Sequence, residues 1–295
     1  MQIGAVVRIG PEEPGAQPAP YAAIRDMACR IEDAGFDSIW VYDHFLYRWP
    51  GRPTDGIWES WTMLSALAQA TDRVQLGTLV LCTPHRNPAV LAKMATTLDE
   101  VSGGRVILGL GAGWHQPEFD AFGVAFDHRA SRFQEALEII CPLLRTGRVD
   151  FQGTYYAARD CEMIPRGPRP GGPPVMVAGA GPRMLRLAAR YADSWNTAWH
   201  AEPESAIARI ESVRAACAVE GRDPGSLEIT VSVGIGYPDL GAVTPRSGLT
   251  GSVEHVADAF RGYAELGVKH IMIEFAPYTT EALDRVANAV RLFRG

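Results

Sequence analysis

The chain of 295 residues is 47% hydrophobic and 21% charged, which supplies a substantial core and lacks the charge excess of a disordered protein. A net charge of -6 argues against nucleic acid or an anionic membrane surface as the main partner and points to small-molecule ligands. The cysteines, Cys29, Cys82, Cys141, Cys161 and Cys217, are odd in number and scattered, with no C-x-x-C pair. They read as reduced thiols of a cytoplasmic protein. No stretch approaches the roughly 18 apolar residues of a membrane span, and the N-terminal apolar run is too short for a secretion signal.

Short β-branched runs alternate with amphipathic helical stretches about eight times. A strand over 2–9 precedes a Pro-rich loop and a helix over 20–34, with Ile24, Met27, Ala28 and Ile31 on one face and Gly35 as its stop. Strands follow at 37–44, 74–81 and 105–111, separated by helices; Pro88 suits the first turn of the one before 105. After a helix over 128–146, residues 149–158 read as a small inserted β-hairpin. Beyond the Pro-rich segment 165–174 come strand 175–180, helix 182–192, strand 194–199, helix 203–220 and strand 227–235. A long Gly/Pro loop over 236–251 precedes helix 252–266, strand 269–275 and helix 279–293. Eight buried strands crossed over by helices require a parallel sheet, and the count predicts one closed (β/α)8 TIM barrel over residues 1–295. An open doubly wound sheet is the alternative.

In such a barrel the chemistry sits at the C-terminal strand ends. Strand two ends in Asp43 and His44; an imidazole there titrates near neutrality, and the flanking carboxylate is placed to hold its tautomer. The other reading is a strand-end histidine bonded to a loop carbonyl, and His85, His115, His128 and His200 also fall on loops or helix starts. Strand three brings Gly77 and Thr78. Strand four runs into "GLGAGW" (109–114), whose glycines are spaced G-x-G-x-G, with no acid at the end of a following strand; a Rossmann fingerprint is excluded. The bare backbone of Gly111, Ala112 and Gly113 suits a flat ligand, with Trp114 and Glu118 above it, although a tight turn would explain the glycines equally. Strand five leads into "AGAGPRM", where Gly179, Gly181 and Pro182 suit a helix N-terminus that can hold a phosphate, with Arg183 adding charge. Strand six offers Trp195, Asn196 and Trp199. No ligand spacing indicates a metal.

Taken in order, "EDAGFDSIWVYDHF" (32–45), "WESWTMLSALAQATDRVQLGTLVL" (58–81), "RNPAVLAKMATTLDEVSGGRVILGLGAGW" (86–114) and "PPVMVAGAGPRMLRLAARYADSWN" (173–196) resemble the bacterial luciferase-like superfamily, and within it the oxidoreductases that use the deazaflavin coenzyme F420. The resemblance implies a catalytic role for His44 beside the reactive ring carbon and cofactor contacts from Asp43 and Thr78. It implies a bulge with a non-prolyl cis peptide at Leu79–Val80 against the central ring, and a phosphate loop at Ala178, Gly179, Ala180 and Gly181. It further implies Gly111, Ala112 and Gly113 near the ring system, and a homodimer. In the sugar-phosphate dehydrogenases of this branch the residue after the strand-four G-x-G is an acid; here it is Trp114. That departure points to an apolar or aromatic substrate, with Trp114, Glu118 and Trp199 lining its pocket and Glu118 too far along the loop to replace the acid. An FMN-dependent monooxygenase using dioxygen is the alternative, and a non-catalytic flavin-binding protein a third reading.

Overall fold

The first strand, β1 (Gln2–Val6), pairs in parallel with β2 (Ser38–Val41) on one side and with the last, β8 (Val268–Ala276), on the other. Between them β3 (Gln75–Thr78), β4 (Val106–Gly111), β5 (Val175–Ala178), β6 (Ser194–Ala198) and β7 (Glu228–Gly236) pair successively in parallel. The barrel is therefore closed, as the alternation of apolar runs requires. The computed structural model describes residues 1–242 and 248–295.

The crossovers are α1 (Tyr21–Asp33), α2 (Ser60–Ala70), α3 (Pro88–Val101), α4 (Gln116–Phe122) and α5 (Arg129–Arg145) together, α6 (Pro182–Tyr191), α7 (Ile207–Val219) and α8 (Val253–Glu265), with α9 (Thr280–Arg294) closing the ring. Local chemistry sets their starts. The Asn87 side chain accepts from the Ala89 and Val90 amides ahead of α3, with Pro88 in its first turn, and Glu59 caps α2 in the same way.

Inside the barrel, Val6, Trp40, Ile107, Met176 and Met272 form a separate buried layer. Trp40 fits because its neighbours lack side chains: a Cβ on Gly77 would lie 2.1 Å from the indole ring, and one on Gly4 would lie 2.7 Å from its Nε1. Its Nε1–H donates to Ser38 Oγ at 2.7 Å, and the Ser38 hydroxyl meets His270 Nε2 at 2.7 Å.

Several boundaries differ from the sequence reading. β1 ends at Val6; the Val7 amide makes the last ladder bond, to the Trp40 carbonyl, and the chain then turns into the mouth. The run 74–81 is interrupted: β3 stops at Thr78, and Leu81–Cys82 pairs separately with Leu110–Gly111. The hairpin lies at Arg148–Gln152 and Ala157–Glu162. The segment read as helix 203–220 starts with a 3-10 turn at Pro203–Ala206. Helix α4 and a two-residue ladder pairing Leu46–Tyr47 with Asp55–Gly56 were not anticipated. Within the long loop, Gly248–Leu249 pairs with β7, while 243–247 lie outside the described residues. No helix among the described residues is long and apolar enough to cross a membrane.

Candidate active site

A cavity of about 420 Å³ opens at the C-terminal ends of the barrel strands, where catalytic groups of this architecture sit. One side is apolar, built by Leu79, Val80, Leu81, Gly111 and Gly113 from the ends of β3 and β4. The opposite wall carries Arg8 from just beyond β1 and Asn196, Ser232 and Glu274 from β6, β7 and β8. The Leu79–Val80 peptide is cis. Trp114 and Trp199 stand at the rim, each about half exposed.

His44 enters this cavity from just beyond β2. Its Nδ1 lies 2.8 Å from Glu118 Oε1, and Glu118 Oε2 accepts the Phe45 amide at 3.0 Å. Glu118 is fully buried in the first turn of α4 and does not line the cavity. The expectation of Glu118 as a substrate contact is therefore replaced: the carboxylate stands behind the imidazole. α4 folds back because Gly113, with φ +76, turns the chain directly after β4, and the Phe119 ring occupies the space a Cβ there would need. The neighbouring His115 accepts the Arg48 amide at 3.0 Å, so two residues at the start of α4 clip the segment 44–48. Tyr47 and Trp114 pack against the His44 ring at centroid distances of 4.5 and 5.4 Å.

Asp43 does not hold the His44 tautomer. Its carboxylate, 2% exposed, accepts from Arg86 Nη1 at 2.7 Å, Arg86 Nη2 at 2.9 Å, Ser60 Oγ at 2.6 Å and the Cys82 amide at 2.8 Å. Arg86 also pairs with Glu59. Burial pushes the Asp43 carboxyl up, but the Arg86 and Ser60 hydrogen bonds more than offset it and hold the group below its ordinary value. This paired charge fixes the ends of β2 and β3 and the start of α2 relative to one another. Arg86 went unnoticed in the sequence because nothing local marks it.

The other expected positions divide. Leu79, Val80, Gly111, Gly113, Trp114, Trp199 and Ala178 line the cavity. Thr78 does not: its hydroxyl donates to the Gly109 carbonyl at 2.8 Å and accepts the Gly109 amide at 3.0 Å, welding β3 to β4. Ala112 is half-buried against the main core. Gly179, Ala180 and Gly181 form the turn into α6, outside the cavity lining. α6 starts at Gly181 and Pro182 with no side-chain cap, and a Cβ on Gly181 would meet nothing within 4 Å.

His44 is the loop histidine that lines the cavity. His85 is buried under Phe45, its rings stacked at 4.5 Å, and burial pushes its imidazole below the usual value. His200 sits between Thr197 and Ser205, and His128 is exposed. Sequence reasoning missed Arg8, Tyr42 and Glu274. The signal was present, since Arg8 and Glu274 are charges standing among apolar residues close to the C-terminal ends of their strand runs. Among the described residues no His/Cys/Asp/Glu cluster could hold a metal ion.

Comparison with known proteins gives the family and the fold. An F420-dependent glucose-6-phosphate dehydrogenase of Kineococcus radiotolerans is 32% identical over 247 residues, covering 80% of this chain and 70% of that protein. A 5,10-methylenetetrahydromethanopterin reductase of Archaeoglobus fulgidus is 34% identical over 162 residues, covering 55% of this chain and 45% of that one. The chain thus spans between 45% and 70% of the length of these relatives. The solved structure of an F420-dependent secondary alcohol dehydrogenase in complex with an F420-acetone adduct superposes with a TM-score of 0.83 at 20% identity. It covers 100% of this chain and 99% of that one, which shows a common fold. The profile of the luciferase-like monooxygenase family matches residues 1–236, and the chain belongs to that family.

Proposed function

We propose that this protein is an oxidoreductase that moves a hydride between coenzyme F420 and a small organic substrate with an apolar or aromatic body. The observation that carries the reading is His44, a titratable group held by a buried carboxylate and facing a slot with one apolar wall. The names of the relatives support the cofactor, and the residues present fit it. The side chains of Leu79 and Val80, with Gly111 and Gly113 beside them, line the apolar wall against which a planar ring fits. The uncapped start of α6, with open space at Gly181, leaves amide groups free for a phosphate.

Bound F420 would supply the hydride-carrying carbon. The protein's own part is proton handling and exclusion of water. With Glu118 accepting from Nδ1–H, Nε2 of His44 is left to hold or release a proton at a substrate oxygen. Tyr47 and Trp114 shield that imidazole from solvent. Trp114 and Trp199 give the rim aromatic surfaces against which an apolar substrate body packs.

Equilibrium titration with F420 and, separately, with FMN, each oxidised and reduced, tests the proposal. Saturable F420 binding with weaker FMN binding is expected. Tight FMN binding with no F420 binding would overturn it in favour of a flavin-dependent monooxygenase.

A further inference from the structure

Arg8 and Glu274 stand side by side on the cavity wall opposite Leu79 and Val80. The register of β1 with β8, Ala5 opposite Ile273, brings the two chain ends together there. Their pairing is loose: Arg8 Nη2 lies 3.7 Å from Glu274 Oε1, with the side chains 21% and 39% exposed. Among the described residues the Glu274 carboxylate receives no hydrogen bond. The Arg8 guanidinium makes one long bond, from Nη1 to the Pro11 carbonyl at 3.4 Å, and its buried Nε has no partner. Asp43 and Arg86, at the same mouth, show what saturated pairing looks like in this protein. A guanidinium offers five donors and a carboxylate about four acceptor sites, so at this partly exposed pair most of them are open to a ligand in the cavity.

We propose that Arg8 and Glu274 together anchor an uncharged edge of a bound ligand that carries a hydrogen-bond donor next to an acceptor, such as a carboxamide, an imide or a hydroxyl beside a carbonyl. Arg8 donates to the acceptor and Glu274 accepts from the donor. The pair selects against formal charge of either sign. An anion drawn to Arg8 is repelled by Glu274 and Asp55, which line the same cavity, and a cation drawn to the carboxylates is repelled by Arg8. Burial pushes the Glu274 carboxyl up, and Arg8 pulls it back down. An edge of this kind is available on a substrate and on the pyrimidine end of a flavin-like ring. The inference rests on the hydride-transfer reading only for the second of these sources.

The test is fluorescence titration of the full chain, using the tryptophans at the cavity rim as reporter, with benzamide, benzoate and benzylammonium. Each is added to the apoprotein and to protein mixed with F420. Benzamide is expected to bind at least tenfold more tightly than either charged probe. Glu274→Gln should bring the benzamide-to-benzoate ratio within threefold, and Arg8→Met should weaken benzamide while strengthening benzylammonium. A tenfold loss of F420 affinity in Glu274→Gln, with the probe ratios unchanged, supports the anchor and assigns the edge to the cofactor ring. Benzoate binding as tightly as benzamide, with F420 affinity unmoved in both variants, overturns the inference. Failure of F420 to bind the parent protein removes the hydride-transfer reading, while the apoprotein titrations still decide the anchor. Thermal melts show that each variant is folded, and the two substitutions are independent, so loss of one fold leaves the other to report.

Discussion

Glu118 and His44, 74 residues apart in sequence, are joined at 2.8 Å through Oε1 and Nδ1, with the other carboxylate oxygen on the Phe45 amide. Removing that carboxylate changes which ring nitrogen carries the proton without altering what lines the cavity. Glu118→Gln should lower turnover about 10- to 100-fold, the usual consequence of losing an orienting partner of a functional histidine. F420 affinity should stay within threefold. Nitrogen-15 NMR of the His44 ring should register a changed tautomer; an unchanged ring spectrum with unchanged turnover would dismiss the positioning role.

His44→Ala tests the proton itself. The substitution leaves the apolar wall and the start of α6 intact, so F420 should bind as before. Turnover should fall about 10²- to 10⁴-fold, the range of a lost general acid or base. Stopped-flow measurement of F420 absorbance checks this, and parental rates would exclude His44 from the chemistry.

Gly77→Ala should destabilise the barrel by about 3 kcal/mol, at the upper end of overpacking costs. The new methyl would overlap the Trp40 ring, with its nearest atoms 2.1 and 2.2 Å away. Gly171→Ala, where a Cβ meets nothing within 4 Å and the backbone is not left-handed, is the control for the loss of a glycine. Denaturant unfolding of both variants reads the difference, and equal midpoints would contradict the packing argument.

His270 makes folding sensitive to acid. Burial depresses its imidazole to about 4, and its Nε2 accepts from the Ser38 hydroxyl, which itself takes the Trp40 indole N–H. A folded-state value below the unfolded one means that the unfolded chain gains the proton first. Stability is then fully present above about pH 6.5 and falls as the pH drops toward 4, by about 3 kcal/mol in all. Denaturant unfolding between pH 7 and pH 4 should show this slope, and His270→Gln should flatten it. A parental slope in that variant would place the acid sensitivity elsewhere.

Trp114→Ala should raise the KM for an aromatic substrate about tenfold with little change in kcat, because the ring offers binding surface at the rim rather than a proton. A fall in kcat alone would place Trp114 in the chemistry instead.

The barrel was legible because each strand is a short apolar run bounded by helix starts and stops that local chemistry enforces, such as Asn87 and Pro88. The position of His44 was legible for the same reason, since a polar pair closing an apolar strand falls at the mouth. The partner of His44 was not, because Asp43 is adjacent in sequence while Glu118 arrives through a turn at Gly113 and a seven-residue helix that carries little periodicity. Asp43 was assigned the wrong partner because its true one, Arg86, lies 43 residues away, just after a 3-10 turn. The anchor at Arg8 and Glu274 was hidden by distance of another kind, its members standing near opposite ends of the chain and meeting only because the barrel closes.

The layer of Trp40, Met176 and Met272 below the cavity turns that cavity into a gauge with one closed end. Whatever enters is measured by its inner tip, which stops at Val6, the member of that layer that reaches the cavity and is backed by the tightly seated indole, while its outer portion can extend freely past the rim tryptophans. Ligands that differ in the length of a trailing chain should therefore be handled alike, and those that differ by one methyl group at the leading end should not.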